Sequence, residues 1–194
     1  MENKIDTTLV TRAVIFAAKA HDGAVRKGTK LPYIVHPMEA AAITAGLTDD
    51  QAVIAAAVLH DTVEDTNTTR EQIEAEFGSR VAELVAAESE NKREDQKAEL
   101  TWEIRKKETI EHLRRCTDRD VKILALADKL SNLRAIHRDY LALGEKLWDR
   151  FNQNDPEKIG WYYRSFTETC SELADTAAFR EYAELLDKTF GKED

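Results

Sequence analysis

Apolar positions along the chain recur mainly at the three- and four-residue spacing of helices, and strand-like alternation does not stand out. The segment TTLVTRAVIFAAKAH predicts an amphipathic first helix with an apolar face at Val10, Val14, Ile15 and Ala18. The segment DQAVIAAAVLHD is so rich in small and branched apolar residues that it predicts a helix buried on nearly all sides. A long helix is predicted for VKILALADKLSNLRAIHRDYLAL, whose apolar positions are Ile123, Leu124, Leu126, Ala127, Leu130, Leu133 and Ile136.

Turn and capping residues separate these helices. The loop DGAVRKGTKLPYIV precedes a helix that we expect Pro37 to open and Gly46 to end. The pattern Thr68-x-x-Glu71 predicts a capping box for a helix that ends at Gly78. Few other breaks are expected, since the chain has only three prolines and seven glycines.

Domain organisation follows from the same pattern. Residues 88–108 are strongly charged and are expected to form an exposed loop that leads into a solvated helix. The chain breaks again before Pro156, and C-terminal helices are predicted over 157–190. Because no linker or internal repeat interrupts the pattern, we predict one all-α domain over residues 1–194, a bundle of about eight to ten helices.

Composition narrows the class of protein. Hydrophobic residues make up 42% and charged residues 34% of the chain, as in soluble globular proteins. No apolar run is long enough to span a bilayer and no signal-peptide pattern is present, so we expect a cytoplasmic protein without a membrane partner. The net charge of −9 argues against a nucleic-acid partner, although a local cationic patch or a bound metal still permits an anionic small-molecule substrate. Cys116 and Cys170 are far apart in sequence and are expected to be free thiols.

Two polar pairs follow the uniformly apolar helix. His60 and Asp61 come first. Glu64 lies four residues after His60, and Asp65 lies four residues after Asp61. A carboxylate at the edge of a core is costly unless it is paired or bound to a metal. If the helix continues for one more turn, each acid shares a face with one member of the first pair. The stretch is therefore either an ordinary helix-to-surface transition or the centre of an active site.

Two further segments offer residues that complement this stretch. His36 precedes a proline, so its backbone is expected to be extended and its ring can point into a cleft; a plain helix boundary is the competing interpretation. Asp128 interrupts an apolar helix, with Asn132 one turn further on the same face, and a neighbouring Lys or Arg could simply pair with it. With His60 and Asp61 these residues form a two-histidine, two-aspartate set that suits Mn²⁺, Fe²⁺ or Zn²⁺.

The segments YIVHP, LHDTVEDT and ALADKLSNLR resemble the ordered motifs of HD-domain phosphohydrolases. The similarity is closer to the alarmone (ppGpp) hydrolase branch, which comprises the hydrolase domain of RelA/SpoT enzymes and small stand-alone hydrolases such as the metazoan SpoT homolog. It runs from about residue 10 to residue 163. The pair H-D alone is a weak motif, whereas H-D-x-x-E-D between RKGTKLPYIVHP and A-D-K-L-x-N-L is specific.

The resemblance implies an HD-type helical bundle and assigns roles to particular residues. The implied metal ligands, usually for Mn²⁺, are His36, His60, Asp61 and Asp128. The acids implied to activate the hydrolytic water are Glu64 and Asp65. Substrate contacts are implied for Arg26, Lys27 and Asn132. Looser matches are Lys92, with Ser89 a weaker candidate, Arg105 and Lys106, and an aromatic residue at Tyr162 or Tyr163. His21 is outside the ligand pattern and is interpreted as structural.

The activity implied by the resemblance is that of a guanosine-3′,5′-bis(diphosphate) 3′-diphosphatase of the stringent response. Such an enzyme releases pyrophosphate from ppGpp or pppGpp and leaves GDP or GTP. A chain of 194 residues has no room for the synthetase domain of the long enzymes, so we expect degradation without synthesis. One alternative is an HD phosphohydrolase for another phosphorylated nucleotide, for example the 2′-phosphate of NADPH. Another alternative is a non-catalytic nucleotide-binding protein. No feature of the sequence indicates the oligomeric state.

Overall fold

Helices make up nearly all the regular structure of the residues that the computed structural model describes, which are 8–90, 93 and 95–191. The α-helices in this part of the chain are Thr8–Ala20 (α1), Val35–Ala45 (α2), Gln51–Leu59 (α3), Thr62–Asp65 (α4), Arg70–Phe77 (α5), Ser79–Glu88 (α6), Ala98–Arg115 (α7), Arg119–Leu143 (α8), Pro156–Thr169 (α9) and Ala177–Phe190 (α10). Two 3₁₀ helices cover Gly144–Arg150 and Ser171–Leu173. Val25 and Pro32 form an isolated β-bridge, and no strand forms within the described residues. The predictions of an all-α fold and of eight to ten helices are confirmed.

The chain divides into two compact units, Met1–Ser89 and Glu90–Asp194. Helices α1 to α6 belong to the first unit, and helices α7 to α10 belong to the second. The extent of a single domain over residues 1–194 stays a prediction. Within the described ranges, no helix has both the length and the apolar composition that crossing a bilayer requires.

Helix α3 is the centre of the first unit and packs against α1, α2 and α6. Every residue from Val53 to Leu59 is buried, which confirms the prediction from its composition. The Asp50 side chain caps the helix by accepting a hydrogen bond from the Ala52 N–H at 2.7 Å. Because α3 is fixed by burial on all sides, the residues at its carboxyl end, His60 and Asp61, start from a rigid support.

The buried face of α1 differs from the prediction. Its fully buried residues are Ala13 and Ala17, whereas Ile15 is 51% exposed and Ala18 is also exposed. Helix α1 packs on the alanine-rich α3. Small side chains let two helices approach closely, so at this interface side-chain size outweighs hydrophobicity.

Helix α2 begins two residues earlier than predicted, at Val35 rather than Pro37. His36 is therefore helical, and the expectation of an extended backbone before the proline was wrong. Its N–H donates to the Tyr33 carbonyl at 3.0 Å, which closes the first turn. A proline in the first turn forfeits no intrahelical hydrogen bond, so the helix can include it without cost.

The capping box of α5 is displaced by one residue from its predicted position. The Gln72 N–H donates to Thr69 Oγ1 at 3.3 Å, and the Thr69 N–H donates to Gln72 Oε1 at 2.9 Å. Thr68 Oγ1 instead accepts a hydrogen bond from Thr66 Oγ1 at 2.9 Å. Of two adjacent threonines, the first thus belongs to the preceding turn and the second caps the helix.

In the second unit the 25-residue helix α8 packs against α9, α10 and the 3₁₀ helix Gly144–Arg150. All seven positions predicted as its apolar face are buried. Arg134 forms a two-pronged ion pair with Glu181 of α10, at 2.6 and 2.7 Å. Helix α7 begins at Ala98, inside the charged segment 88–108, and its exposed residues include Glu103, Lys107 and Glu108.

The Thr69→Ala variant is expected to lower the free energy of unfolding by about 1 kcal/mol, because it leaves the Gln72 N–H without its side-chain acceptor. Urea unfolding followed by circular dichroism measures this loss. The matched control is Thr69→Ser, which keeps the hydroxyl and should remain close to the wild type. Equal losses in the two variants would contradict the observed cap.

Candidate functional site

The two polar pairs lie where α3 gives way to α4. Helix α3 ends at Leu59, and His60 and Asp61 keep right-handed helical backbone angles before α4 begins at Thr62. The Asp65 N–H donates to the Asp61 carbonyl at 2.9 Å. The four-residue relation between the two aspartates is therefore helical, although the extra turn is a separate short helix rather than an extension of α3.

The imidazoles of His36 and His60 converge on one carboxylate oxygen. Both histidines are only 3% exposed, and their rings lie 5.1 Å apart at an angle of 76°. The Nε2 atoms of His60 and His36 lie 3.1 and 3.5 Å from Asp61 Oδ2. Each ring offers a nitrogen, and these ligand atoms are within 4.8 Å of each other.

The tautomer of His60 follows from its other nitrogen. Nδ1 lies 2.8 Å from the carbonyl oxygen of Ala57, one turn back in α3. A carbonyl can only accept, so Nδ1 carries a hydrogen, and Nε2, which faces Asp61, is the nitrogen that could bind an ion. Metal-binding histidines are commonly oriented in this way. Two imidazole nitrogens and one carboxylate oxygen are donors that a divalent transition ion accepts.

Tyr33 connects the two aspartates, although no role is predicted for it from the sequence. Its hydroxyl lies 2.6 Å from Asp61 Oδ2 and 3.0 Å from Asp65 Oδ2. Burial raises the pKa of the Tyr33 phenol, and the two neighbouring carboxylates raise it further, so the hydroxyl keeps its proton. The available signal was its place in YIVHP, three residues before His36.

His21 packs against the ring of Tyr33. Its side chain is buried, and its ring packs against that of Tyr33 at a tilt of 35°, with centroids 4.8 Å apart. Burial lowers the pKa of His21, against the opposing effect of Asp61 and Asp65. A neutral ring packed on an aromatic neighbour agrees with the structural role predicted for it.

The remaining site residues predicted in the first unit lie around this cluster. The Arg26 guanidinium is 5.6 Å from the centre of the Tyr33 ring, in cation–π contact. Lys27 follows in the same loop and is exposed. Glu64 is half-buried on α4, one residue before the exposed Asp65.

In the second unit, Asp128 is buried on α8, and Asn132 lies on the same face as predicted. Asn132 Nδ2 donates to Asp128 Oδ1 at 2.6 Å. The neighbouring Lys129 ammonium contacts the other oxygen. The pairing with a lysine that the sequence left open is thus present, together with the amide contact.

A second charged cluster of this unit contains Arg105 and Lys106, which the sequence matched loosely to substrate contacts. Glu90 accepts from Arg105 Nη1 at 2.9 Å, from Lys106 Nζ at 2.6 Å and from Thr109 Oγ1 at 3.1 Å. Burial by itself would raise the pKa of Glu90, but the Lys106 and Lys129 ammonium groups and the Thr109 hydroxyl together outweigh it and hold that pKa below its ordinary value. Lys92 lies outside the described residues.

Tyr162 of α9 is the aromatic residue that lies near the ammonium groups of Lys106 and Lys129. Lys106 Nζ lies 4.7 Å and Lys129 Nζ 5.9 Å from the centre of its ring. Its hydroxyl is buried and has no hydrogen-bond partner among the described residues. Tyr163 is also buried, and its carbonyl accepts a hydrogen bond from the Tyr182 hydroxyl at 2.6 Å. Tyr162 therefore lies against ammonium groups, whereas Tyr163 belongs to the packing of α9 on α10.

Ser89, the weaker candidate, donates to the Val85 carbonyl at 3.0 Å and so closes the end of α6. Its hydroxyl thus has a local structural partner.

Comparisons with known proteins identify the family of this chain. The family model described as HD domain matches residues 13–148. The guanosine-3′,5′-bis(diphosphate) 3′-pyrophosphohydrolase MESH1 of Xenopus tropicalis is 43% identical over 137 residues, which cover 69% of this chain and 72% of the relative. MESH1 of Danio rerio is 40% identical over 139 residues, 70% and 73% of the two chains. A GTP pyrophosphokinase of Myxococcus xanthus is 35% identical over 133 residues, but the match spans only 17% of that protein.

Solved structures give the same result for the fold. The structure of a metazoan ortholog of SpoT that hydrolyses ppGpp aligns over 97% of this chain and 99% of its own, with a TM-score of 0.77 and 22% identity. The lmo0812 protein of Listeria monocytogenes EGD-e aligns over 83% and 97%, with a TM-score of 0.70 and 33% identity. The chain therefore belongs to the HD-domain family, within the branch that contains the MESH1 pyrophosphohydrolases.

Proposed function

We propose that this protein is a metal-dependent pyrophosphohydrolase that removes the 3′-diphosphate of guanosine tetra- or pentaphosphate and leaves GDP or GTP. The observation that carries the proposal is the convergence of the His36 and His60 Nε2 atoms on Asp61 Oδ2, with Asp65 joined to the same group through Tyr33. The MESH1 relatives, 43% and 40% identical, carry this activity in their names. A cytoplasmic location and a role in the stringent response are part of the same proposal.

The proposed ion is Mn²⁺, held by His36, His60 and Asp61, with Asp128 as the fourth ligand. Support for the first three comes from the buried imidazoles of His36 and His60, from the oriented Nε2 of His60 and from the Asp61 oxygen on which both rings converge. Asp128 is included on the match of A-D-K-L-x-N-L to the family pattern. When bound, such an ion lowers the pKa of a water molecule and polarises a phosphoryl oxygen.

Glu64 and Asp65 are the proposed acceptors of the proton that the hydrolytic water loses. A carboxylate within reach of that water can act as the general base. Asp65 suits this role because its carboxylate lies in the Tyr33 contact beside Asp61 and is still exposed to solvent. Glu64, half-buried on the same turn, is the second acid of the pair.

The substrate contacts are proposed for residues that bring positive charge, an amide or an aromatic face. A nucleotide with several phosphates needs local cations on a chain with a net charge of −9. The proposed contacts are Arg26, Lys27, Lys92, Asn132 and Tyr162. Arg26 is the best supported of them, because its guanidinium is held on the Tyr33 ring next to the acidic pairs.

The activity itself is tested by incubating purified protein with ppGpp and Mn²⁺ and identifying the products by chromatography. We expect equal amounts of GDP and pyrophosphate. NADPH serves as the comparison substrate. Release of orthophosphate from NADPH without turnover of ppGpp would replace the proposal with a phosphomonoesterase, and no turnover of either nucleotide would reject it.

Removal of the metal with EDTA is expected to abolish hydrolysis, and added Mn²⁺ should restore it. Mn²⁺ should also raise the melting temperature of the metal-free protein, because a ligand that binds the folded state stabilises it. His60→Ala should lose this thermal shift. His112→Ala, which changes an exposed histidine of α7, is the matched control and should keep it. A full shift in His60→Ala would exclude His60 as a ligand.

Asp65→Asn and Glu64→Gln are each expected to lower kcat by roughly 100- to 10,000-fold, the usual contribution of a general base. Both variants should keep the Mn²⁺-dependent thermal shift and the affinity for ppGpp. Glu74→Gln removes one exposed charge in the same unit and should retain normal turnover. Rates near the wild type in both acid variants would refute their proposed role in activating water.

A further inference from the structure

One hydroxyl group lies between the carboxylates to which two different roles are proposed. Tyr33 Oη is 2.6 Å from Asp61 Oδ2, the proposed metal ligand, and 3.0 Å from Asp65 Oδ2, the proposed base. Asp61 Oδ2 is also the oxygen on which the two imidazoles converge. The Tyr33 hydroxyl therefore contacts both the proposed metal ligand and the proposed base.

The two carboxylates need such a group. They lie four residues apart on one helical turn, and like charges at this spacing repel each other. A phenol has one proton, so it donates to one oxygen at a time and can exchange between two oxygens within reach. A neutral donor between the two acids offsets their repulsion and holds both carboxylates at a defined separation.

The position of the hydroxyl is fixed by the surroundings of the ring. The His21 ring packs against Tyr33 at a tilt, with centroids 4.8 Å apart, and the His36 ring meets it edge-on at 6.0 Å. The Arg26 guanidinium lies over the Tyr33 ring, 5.6 Å from its centre. The Tyr33 N–H donates to the Ala24 carbonyl at 2.9 Å and fixes the backbone. A side chain held by so many neighbours can orient its hydrogen-bond partners rather than follow them.

We infer that Tyr33 is a positioning residue, whose hydroxyl turns Asp61 towards the bound ion and holds Asp65 beside it. The part that concerns Asp65 depends on the proposed hydrolase function. The part that concerns Asp61 requires only that the protein binds a divalent ion. The two parts are therefore tested by different measurements.

The first measurement is the affinity for Mn²⁺, by titration calorimetry or by the electron paramagnetic resonance signal of the free ion. Tyr33→Phe removes only the hydroxyl and keeps the ring contacts. We expect about 10- to 100-fold weaker binding, as for other groups that orient metal ligands. Tyr182→Phe is the matched control, because it also loses one buried hydroxyl, which donates to the Tyr163 carbonyl at 2.6 Å. Equal affinities in the two variants would overturn the inference.

The second measurement is a double-mutant cycle on kcat, at Mn²⁺ concentrations that saturate each variant. Tyr33→Phe alone should lower kcat by about 10- to 100-fold with little change in KM. In the Asp65→Asn background it should cause no further loss, because a residue that acts through Asp65 has nothing left to position. Losses that multiply would contradict the link to Asp65. A wild-type protein that does not hydrolyse ppGpp would reject the proposed function, and the Mn²⁺ affinity would then decide the inference alone.

Discussion

The hydrogen bond between His60 Nδ1 and the Ala57 carbonyl fixes the orientation of the His60 ring at the carboxyl end of α3. It is made inside a helix whose residues from Val53 to Leu59 are all buried, so neither partner can move independently. The bond fixes the tautomer and directs Nε2 away from the helix, towards Asp61. A buried apolar helix is thus the physical reason that the His60 Nε2 atom lies at a defined point. The other features of the candidate site depend on that point.

The sequence predicted the main elements because their patterns are local. Helical spacing identified the buried face of α8, and the composition of α3 identified its burial. The proximity of Asp61 and Asp65 was also predictable from their four-residue spacing, because a helical turn joins them. Local spacing did not reveal the contact of Tyr33 with these aspartates. That contact joins a loop to a helix end 28 residues away, and only the folded chain brings the two together.

The wrong expectations share a physical cause, which is competition between neighbours. In α1 the small residues Ala13 and Ala17 occupy the buried face, because an alanine-rich partner favours close approach over larger side chains. At α5 two threonines compete for one cap, and the contact of Thr68 with Thr66 leaves the cap to Thr69. His36 is helical because a first-turn proline suits a helix start better than the general preference before proline suggests. Such outcomes depend on partners that a single segment does not contain.

Charge sets the last constraint on the proposed chemistry. Asp61, Glu64 and Asp65 put three acids within five residues of a chain whose net charge is −9, and a polyphosphate would be repelled by them. The nearby cation Arg26 offsets only part of this charge. A divalent ion on His36, His60 and Asp61 would offset further negative charge, because the two imidazoles, as neutral metal ligands, add no negative charge of their own. Histidine ligands would therefore hold the ion without adding to the negative charge that a polyanionic substrate would meet at this site.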